Sequence, residues 1–356
     1  MAFPFKLPTR YVYEGPTLDG GQGTVYVCRD LYLERKVAVK VMTGVSDASE
    51  IRKELTAIQG VRSRHVAQIY DLVTSGHGGK VGLVQEYVPG PNVKDYSKKS
   101  DITHEYLRLV YQIACGISDI HQSGKIHRDI KPSNIKLDAE NVVKILDFGL
   151  ATDAGHNAVT EDARGTPCYI APELYVTPPI KFTAAVDTFA FGVTARVIAE
   201  RGAILPAFRQ TPPYATPFPS FGTSPTPLTQ EVVAILDLTL ETDPKKRPAM
   251  TKVRDVLAGR LLYGKHRAVV TYGSLHELSV PGKSISLKTA IGAITIKYDG
   301  LRFAIESLSG DVYINNAAAQ TNQTLPRSCV ITLGASYLGA SRTFVPFNVS
   351  HPGVVL

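Results

Sequence analysis

Ile126-His127-Arg128-Asp129-Ile130-Lys131-Pro132-Ser133-Asn134, followed by Asp147-Phe148-Gly149, is the stretch whose reading decides the fold of this chain. Asp129 offers a carboxylate that can take a proton, and Lys131 places a cation two residues on. Asn134 and Asp147 supply carbonyl and carboxylate oxygens, the donors that hard divalent cations accept. A base, a phosphate-facing lysine and two metal-binding side chains are the set needed for phosphoryl transfer from a nucleotide. The apolar run Val142-Val143-Lys144-Ile145-Leu146 leads into Asp147. Either triplet alone would be weak evidence; both in this order and spacing are not.

The pattern H-R-D-x-K-x-x-N and then D-F-G resembles the catalytic and metal-binding loops of eukaryotic-type (Hanks-type) bacterial serine/threonine protein kinases. The resemblance covers about residues 10–262. It implies an α+β two-lobe protein-kinase fold, here followed by a small all-β sandwich-like domain. It also implies that Asp129 orients and deprotonates a substrate hydroxyl, that Lys131 neutralises the transferring phosphoryl group, and that Asn134 and Asp147 hold Mg²⁺, with Mn²⁺ as an alternative. His127 reads as a packing residue rather than a base.

Upstream, Leu18-Asp19-Gly20-Gly21-Gln22-Gly23-Thr24-Val25 lies between two predicted strands and is similar to the glycine-rich loop over ATP phosphates. Glycine lets the backbone approach phosphate oxygens and present its amides. Leu18 stands at the first glycine position and Gln22 at the loop tip, both departures from the pattern. Val37-Ala38-Val39-Lys40 follows on the next strand. The resemblance gives Lys40 the α/β-phosphates, with Glu54 as its helix partner and Glu50 as the fallback. It makes Val25 and Ala38 the adenine walls, Glu86-Tyr87-Val88 the hinge, and Gln85 the guard of the rear pocket. Lys136 falls where an apolar residue normally floors the base; a lysine there can lay its methylenes against the ring and send its ammonium outward.

Gly165-Thr166-Pro167-Cys168-Tyr169-Ile170-Ala171-Pro172-Glu173 is similar to the serine/threonine form of the activation-segment end, and Lys131 points the same way. Thr160 and Thr152 are the candidate phosphosites, with Arg128 as the cation that would receive the phosphate. Glu173 is expected to pair with Arg247, and Asp187 to anchor the catalytic loop.

Hydrophobic periodicity places strands at residues 11–18, 24–30, 36–42, 67–74 and 81–88, with an amphipathic helix over 49–61. Helices follow at 102–121, 184–201, 232–240 and 250–262. This gives an N-lobe at 10–88 and a C-lobe at 89–265. Seven prolines between 205 and 227 forbid a long helix where the resembling kinases carry one, so an ordered, extended Pro-rich insert is expected. From 266 to 356, eight short strands punctuated by Gly, Asn, Asp and Pro read as an all-β module. Its stretch Arg302 to Asn316, then Cys329-Val330-Ile331-Thr332-Leu333-Gly334, resembles the second half of forkhead-associated domains. Gly282-Lys283 stands in for their Gly-Arg pair and no Ser-x-x-His follows, so the module reads as degenerate, used for docking a protein partner or for self-association.

The chain has 356 residues, 44% hydrophobic and 20% charged, enough for two or three units with real cores. Its net charge of +7 comes without a basic run interleaved with aromatics, so no nucleic-acid partner is expected. Four dispersed cysteines read as reduced thiols. No signal-peptide pattern or run of about 18 apolar residues is present, so a cytoplasmic location without membrane contact is the expectation. Two functions follow: ATP-dependent phosphorylation of protein Ser/Thr hydroxyls, including the chain's own, or a pseudokinase acting as a nucleotide-gated scaffold through its β-module.

Overall fold

A computed structural model describes residues 3–20, 23–42, 60–74, 81–96, 103–147, 152–153, 159–160, 167–175, 180–210, 217–350 and 352–354. It divides into one unit over Met1–Leu257, joined by Leu356, and a second over Ala258–Val355. The division falls within the helix Met250–Leu262.

The first unit opens with five antiparallel strands, β1 (Tyr11–Gly20), β2 (Gly23–Asp30), β3 (Arg35–Met42), β4 (Ile69–Thr74) and β5 (Val81–Glu86), in the order β1-β2-β3-β5-β4. The β-branched residues Val37, Val39 and Val41 alternate along β3 and are buried with Tyr11, Tyr26, Cys28, Val73 and Val84. The valines line one face with period two, and Ala38 and Lys40 on the other face are buried as well. The helix predicted over 49–61, with Glu50 and Glu54, lies outside the described residues except at its last two positions.

The helical half follows: a one-turn helix α1 (Val93–Tyr96), then α2 (Thr103–Gln122). Ile113, Ile117 and Ile120 of α2 recur at helical spacing and are fully buried. Gly116 lets α2 approach closely, since a Cβ there would sit 2.7 Å from Ile145 Cδ1. Short strands β6 (Lys125–Ile126), β7 (Ile135–Leu137), β8 (Val143–Ile145) and β9 (Thr152–Asp153) frame the catalytic region, β6 pairing with β9 and β7 with β8. β10 (Val159–Thr160) pairs with β11 (Ile180–Lys181). Three helices complete the unit: α3 (Ala185–Ala199), α4 (Gln230–Thr239) and α5 (Met250–Leu262).

α3 is buried all round from Val186 to Ala199, which makes it the central post of this half. In the Pro-rich insert the described residues form only 3₁₀ turns, Pro206–Arg209 and Phe221–Thr223. The buried Arg196 of α3 fastens the second turn, donating to Pro219 O, Ser220 O and Thr223 Oγ1. Three acceptors of the insert within reach of one planar guanidinium explain how a proline-broken segment is ordered without a helix.

The second unit holds nine strands, β12 (Ala268–Tyr272), β13 (Ser274–Leu278), β14 (Ser284–Thr289), β15 (Gly292–Tyr298), β16 (Phe303–Gly310), β17 (Val312–Ile314), β18 (Ala317–Ala318), β19 (Ser328–Leu333) and β20 (Thr343–Val349). One sheet runs β13-β12-β20-β19-β17-β18 and the other β14-β15-β16. Alternate residues from both sheets, Ile294, Ile296 and Tyr298 on one and Ile331, Leu333, Val345 and Phe347 on the other, share one core. That arrangement is a sandwich. The strand Ala317–Ala318 was not expected: two exposed alanines carry no alternation to read. Among the described residues no helix is long and apolar enough to cross a membrane.

Candidate active site

The loop between β6 and β7 is held from below by Asp187, near the start of α3. Its fully buried carboxylate accepts hydrogen bonds from the backbone N–H of His127 at 2.8 Å and of Arg128 at 2.8 Å, and faces His121 Nε2 at 2.9 Å. Burial alone pushes this carboxyl's pKa up, but the bond from His121 and the neighbouring imidazole and backbone donors outweigh it and hold the group ionised below the ordinary carboxylate value. Fixing both amides lets Arg128 adopt φ 67°, a conformation side chains rarely take, and the reversal presents Asp129 at the head of the loop.

Asp129 is buried, and its Oδ2 accepts from Lys131 Nζ at 2.8 Å and from Asn134 Nδ2 at 2.8 Å. The Asn134 amide nitrogen also reaches Asp129 O at 3.0 Å, so its carboxamide oxygen is turned to other use. Asn134 O in turn accepts from Leu146 N at 2.8 Å, which ties the catalytic loop to the segment carrying Asp147. His127 is fully buried; its Nδ1 accepts from Asp129 N–H at 3.3 Å, so Nε2 carries the proton that it donates to Leu146 O at 3.0 Å. That is a packing and bridging role.

Lys40, opposite Val25 on β2 and Leu83 on β5, sends its ammonium to Asp147 Oδ1. Asp147 itself sits at φ 66°. Lys40 and Asp147 are therefore side by side at the edge of the catalytic loop. The helix glutamates Glu54 and Glu50 lie outside the described residues.

Above the loop, a cavity of about 380 Å³ opens between the sheet and β7. Val25, Ala38, Glu86, Val88 and Lys136 line it, together with Gln85 and Tyr87. Leu18 pairs with Val25, and Gly20 with Gly23, at the end of the β1–β2 hairpin; Gly21 and Gln22 lie outside the described residues. Thr17, Asn92, Ser133 and Leu146 also line the cavity and were not picked out from the sequence. Leu146 was signalled by its place in the apolar run before Asp147. Thr17 and Asn92 carry no pattern of their own and are brought in by strand register and by a bridge between Asn92 and Lys136.

One expectation about the floor needs correcting. The Lys136 ammonium is not sent outward but donates to Val88 O at 2.9 Å. Burial lowers its pKa. The carboxylate that could have drawn it elsewhere, Glu86, is already held by Lys144 at 2.7 Å and by Gln68 N at 3.1 Å.

Glu173 pairs bidentately with the buried Arg247, both contacts at 2.7 Å. Thr152 lies in β9 and Thr160 in β10, whose backbone pairs with β11. Arg128 lies over the Phe182 ring at 4.4 Å.

Among the described residues no group of three or more His, Cys, Asp or Glu could hold a metal. Asn134 and Asp147 nevertheless fit a hard divalent cation that also takes phosphate oxygens, since one offers a carboxamide oxygen and the other a carboxylate.

A family model for the protein kinase domain matches residues 18–256. The chain belongs to that family. It is 33% identical over 189 residues to the probable serine/threonine-protein kinase pknA2 of Bifidobacterium longum, covering 50% of this chain and 24% of that protein. It is 35% identical over 187 residues to the serine/threonine-protein kinase drp72 of Corynebacterium efficiens, covering 49% of this chain and 35% of that one. Over 223 residues it is 27% identical to the stress-activated protein kinase JNK of Drosophila melanogaster, covering 57% of this chain and 56% of the fly protein. The chain thus spans from a quarter to somewhat over half the length of these relatives.

Proposed function

We propose that the chain is an ATP-dependent serine/threonine protein kinase that transfers the γ-phosphoryl of ATP to protein hydroxyls, its own among them. The observation that carries this reading is the joining of Asp129, Lys131 and Asn134 in one bonded cluster beside the Lys40–Asp147 pair. Asp129 accepts the proton of the attacking hydroxyl, and Lys131, already bonded to it, offers its cation to the transferring group. Lys40 orients the phosphate chain. Asn134 and Asp147 would hold a divalent cation, Mg²⁺ or Mn²⁺, which would supply positive charge to offset that of the phosphates. Fixed charges of this kind, already in place before reaction, supply the main stabilisation of the transition state. Glu54 steadies Lys40, and the glycine-rich hairpin from Leu18 to Gly23, with Gly20, Gly21 and Gln22, covers the phosphates.

Lys131 and the segment ending at Glu173 favour Ser and Thr over Tyr as acceptors. Thr160, and after it Thr152, are the activation-segment positions that would be phosphorylated, with Arg128 receiving the charge. The β-sandwich, a degenerate relative of forkhead-associated domains, serves docking of a protein partner or self-association, in a cytoplasmic enzyme.

Labelled ATP with Mg²⁺, offered to the chain and a generic basic protein, tests the assignment. Label on Ser or Thr, mapped by mass spectrometry, supports it. ATP binding without transfer would replace it with the nucleotide-gated scaffold.

A further inference from the structure

The floor of the nucleotide cavity carries a charge where bases usually meet hydrocarbon. Lys136 is placed by β7, whose backbone is pinned to the hinge end: Leu137 N donates to Pro91 O at 3.1 Å, and Lys136 bridges Asn92. Gly90 permits this approach, because a Cβ there would run into the Leu137 carbonyl. From that position the half-buried side chain lines the cavity and its ammonium donates to Val88 O at 2.9 Å. No carboxylate pairs with it among the described residues, and Glu86 is occupied by Lys144. The Val88 N–H has no hydrogen-bond partner among the described residues.

The consequence is a changed hydrogen-bond pattern at the hinge. A hinge residue normally offers a base both its N–H donor and its carbonyl acceptor. Here the Val88 carbonyl already has a donor, and the donor is a cation. That edge of the cavity therefore presents N–H groups alone, from Val88 and from the ammonium, which has two further protons to place. A base that brings a ring nitrogen or a plain C–H to this edge is accommodated. A base whose N1 accepts the Val88 N–H turns its 2-position to the Val88 carbonyl and its 6-position away from it. A 6-amino group is therefore unaffected, whereas a 2-amino group sets donor against donor or must displace Lys136 and leave its ammonium half-buried without a partner.

We propose that Lys136 is a specificity residue of the nucleotide site: it admits adenine-type bases and rejects purines carrying a 2-amino group, together with other flat ligands that need the Val88 carbonyl as an acceptor. This rests on the reading of the cavity as a nucleotide site. The same logic places GTP among the rejected nucleotides, and it makes the cavity resistant to hinge-binding compounds with two flanking donors.

The test compares ATP with 2-aminoadenosine triphosphate, which differs only by the added donor. Dissociation constants are measured calorimetrically with Mg²⁺ for the full chain and for Lys136→Leu. The wild type is expected to bind the 2-amino nucleotide about tenfold more weakly than ATP, the size of one opposed donor. In Lys136→Leu the carbonyl is free to accept, and the two nucleotides are expected to bind equally or in reversed order. If Lys136→Leu does not fold, Lys136→Met gives the same comparison with an unbranched floor. An unchanged ratio between wild type and variant overturns the role of Lys136. Failure of both nucleotides to bind the wild type overturns the nucleotide-site reading, and is distinguished from the first result by the absence of any ATP signal.

Discussion

Replacing Asp187 by Asn probes how the catalytic loop is held. The carboxylate is fully buried and takes Arg128 N–H on Oδ1 and both His127 N–H and His121 Nε2 on Oδ2, at 2.8, 2.8 and 2.9 Å. An amide has the same shape but only one acceptor oxygen. Turned so that its oxygen keeps the two histidine donors, its NH₂ opposes Arg128 N–H. A hydrogen bond to a charged group contributes about 1.5–3 kcal/mol and one to a neutral group about 1 kcal/mol, so two weakened bonds lose about 1–4 kcal/mol together. The Arg128 bond is lost outright with two buried donors unsatisfied, a further cost of about 2 kcal/mol. The total of about 3–6 kcal/mol corresponds to a fall in Tm of about 10 °C or more for a unit of this size.

Arg128 at φ 67° adds a functional consequence. Its backbone conformation costs about 1–3 kcal/mol and persists only while the surroundings hold it. Released from Asp187, the loop relaxes and moves Asp129, so kcat falls along with stability. The pH dependence follows as well. The Asp187 pKa is depressed below its ordinary 3.8, so its contribution to stability is complete above that value and is lost as pH falls through the lower folded-state value. Asp187→Asn therefore flattens the acid limb of the stability profile. Thermal unfolding from pH 2 to pH 7, with kcat at neutral pH, is the assay. A variant with Tm within about 2 °C of wild type, an unchanged acid limb and full kcat would refute the anchoring role.

Two further outcomes are expected. Lys40→Met, which removes the partner of Asp147, should lower phosphoryl transfer by about 100-fold or more while the fold is kept, as judged by single-turnover transfer and circular dichroism. Of the four cysteines, Cys28, Cys115 and Cys329 are buried and desolvation pushes their thiols up to about 12, 11 and 11, whereas Cys168 is half-exposed. A thiol-disulfide reagent at pH 8 should modify Cys168 first, with the other three following only on unfolding; rapid reaction of two or more would contradict their burial.

The parts of this fold that were legible in the sequence are those where one residue type has few alternatives. The β-branched run Val37, Val39 and Val41 marks a strand, and Ile113, Ile117 and Ile120 recur at the spacing of a buried helix face. The Arg247–Glu173 pair was anticipated from the resemblance of the surrounding motifs to protein kinases, and the structure buries its guanidinium against the carboxylate. What could not be read was set by tertiary register. Thr17 and Asn92 reach the cavity through strand pairing and a single bridge. Lys136 was visible as an anomaly, but where its ammonium went depended on Glu86 being taken by Lys144, a contact between residues 58 apart in the chain. The last helix, by contrast, was read at 250–262 and forms over Met250–Leu262, and the change in texture near residue 266 marks the first strand of the sandwich.

The measurement that bears most directly on the central claim is single-turnover transfer from ATP by Asp129→Asn, set beside its nucleotide affinity. Asp129 touches Lys131 and Asn134 but does not line the nucleotide cavity. The variant should therefore bind ATP within about threefold of wild type while transferring the phosphoryl group about 10³-fold more slowly, the scale of a lost general base. Transfer by Asp129→Asn at the wild-type rate would contradict the account, because the proton of the acceptor hydroxyl would then be leaving to some other group.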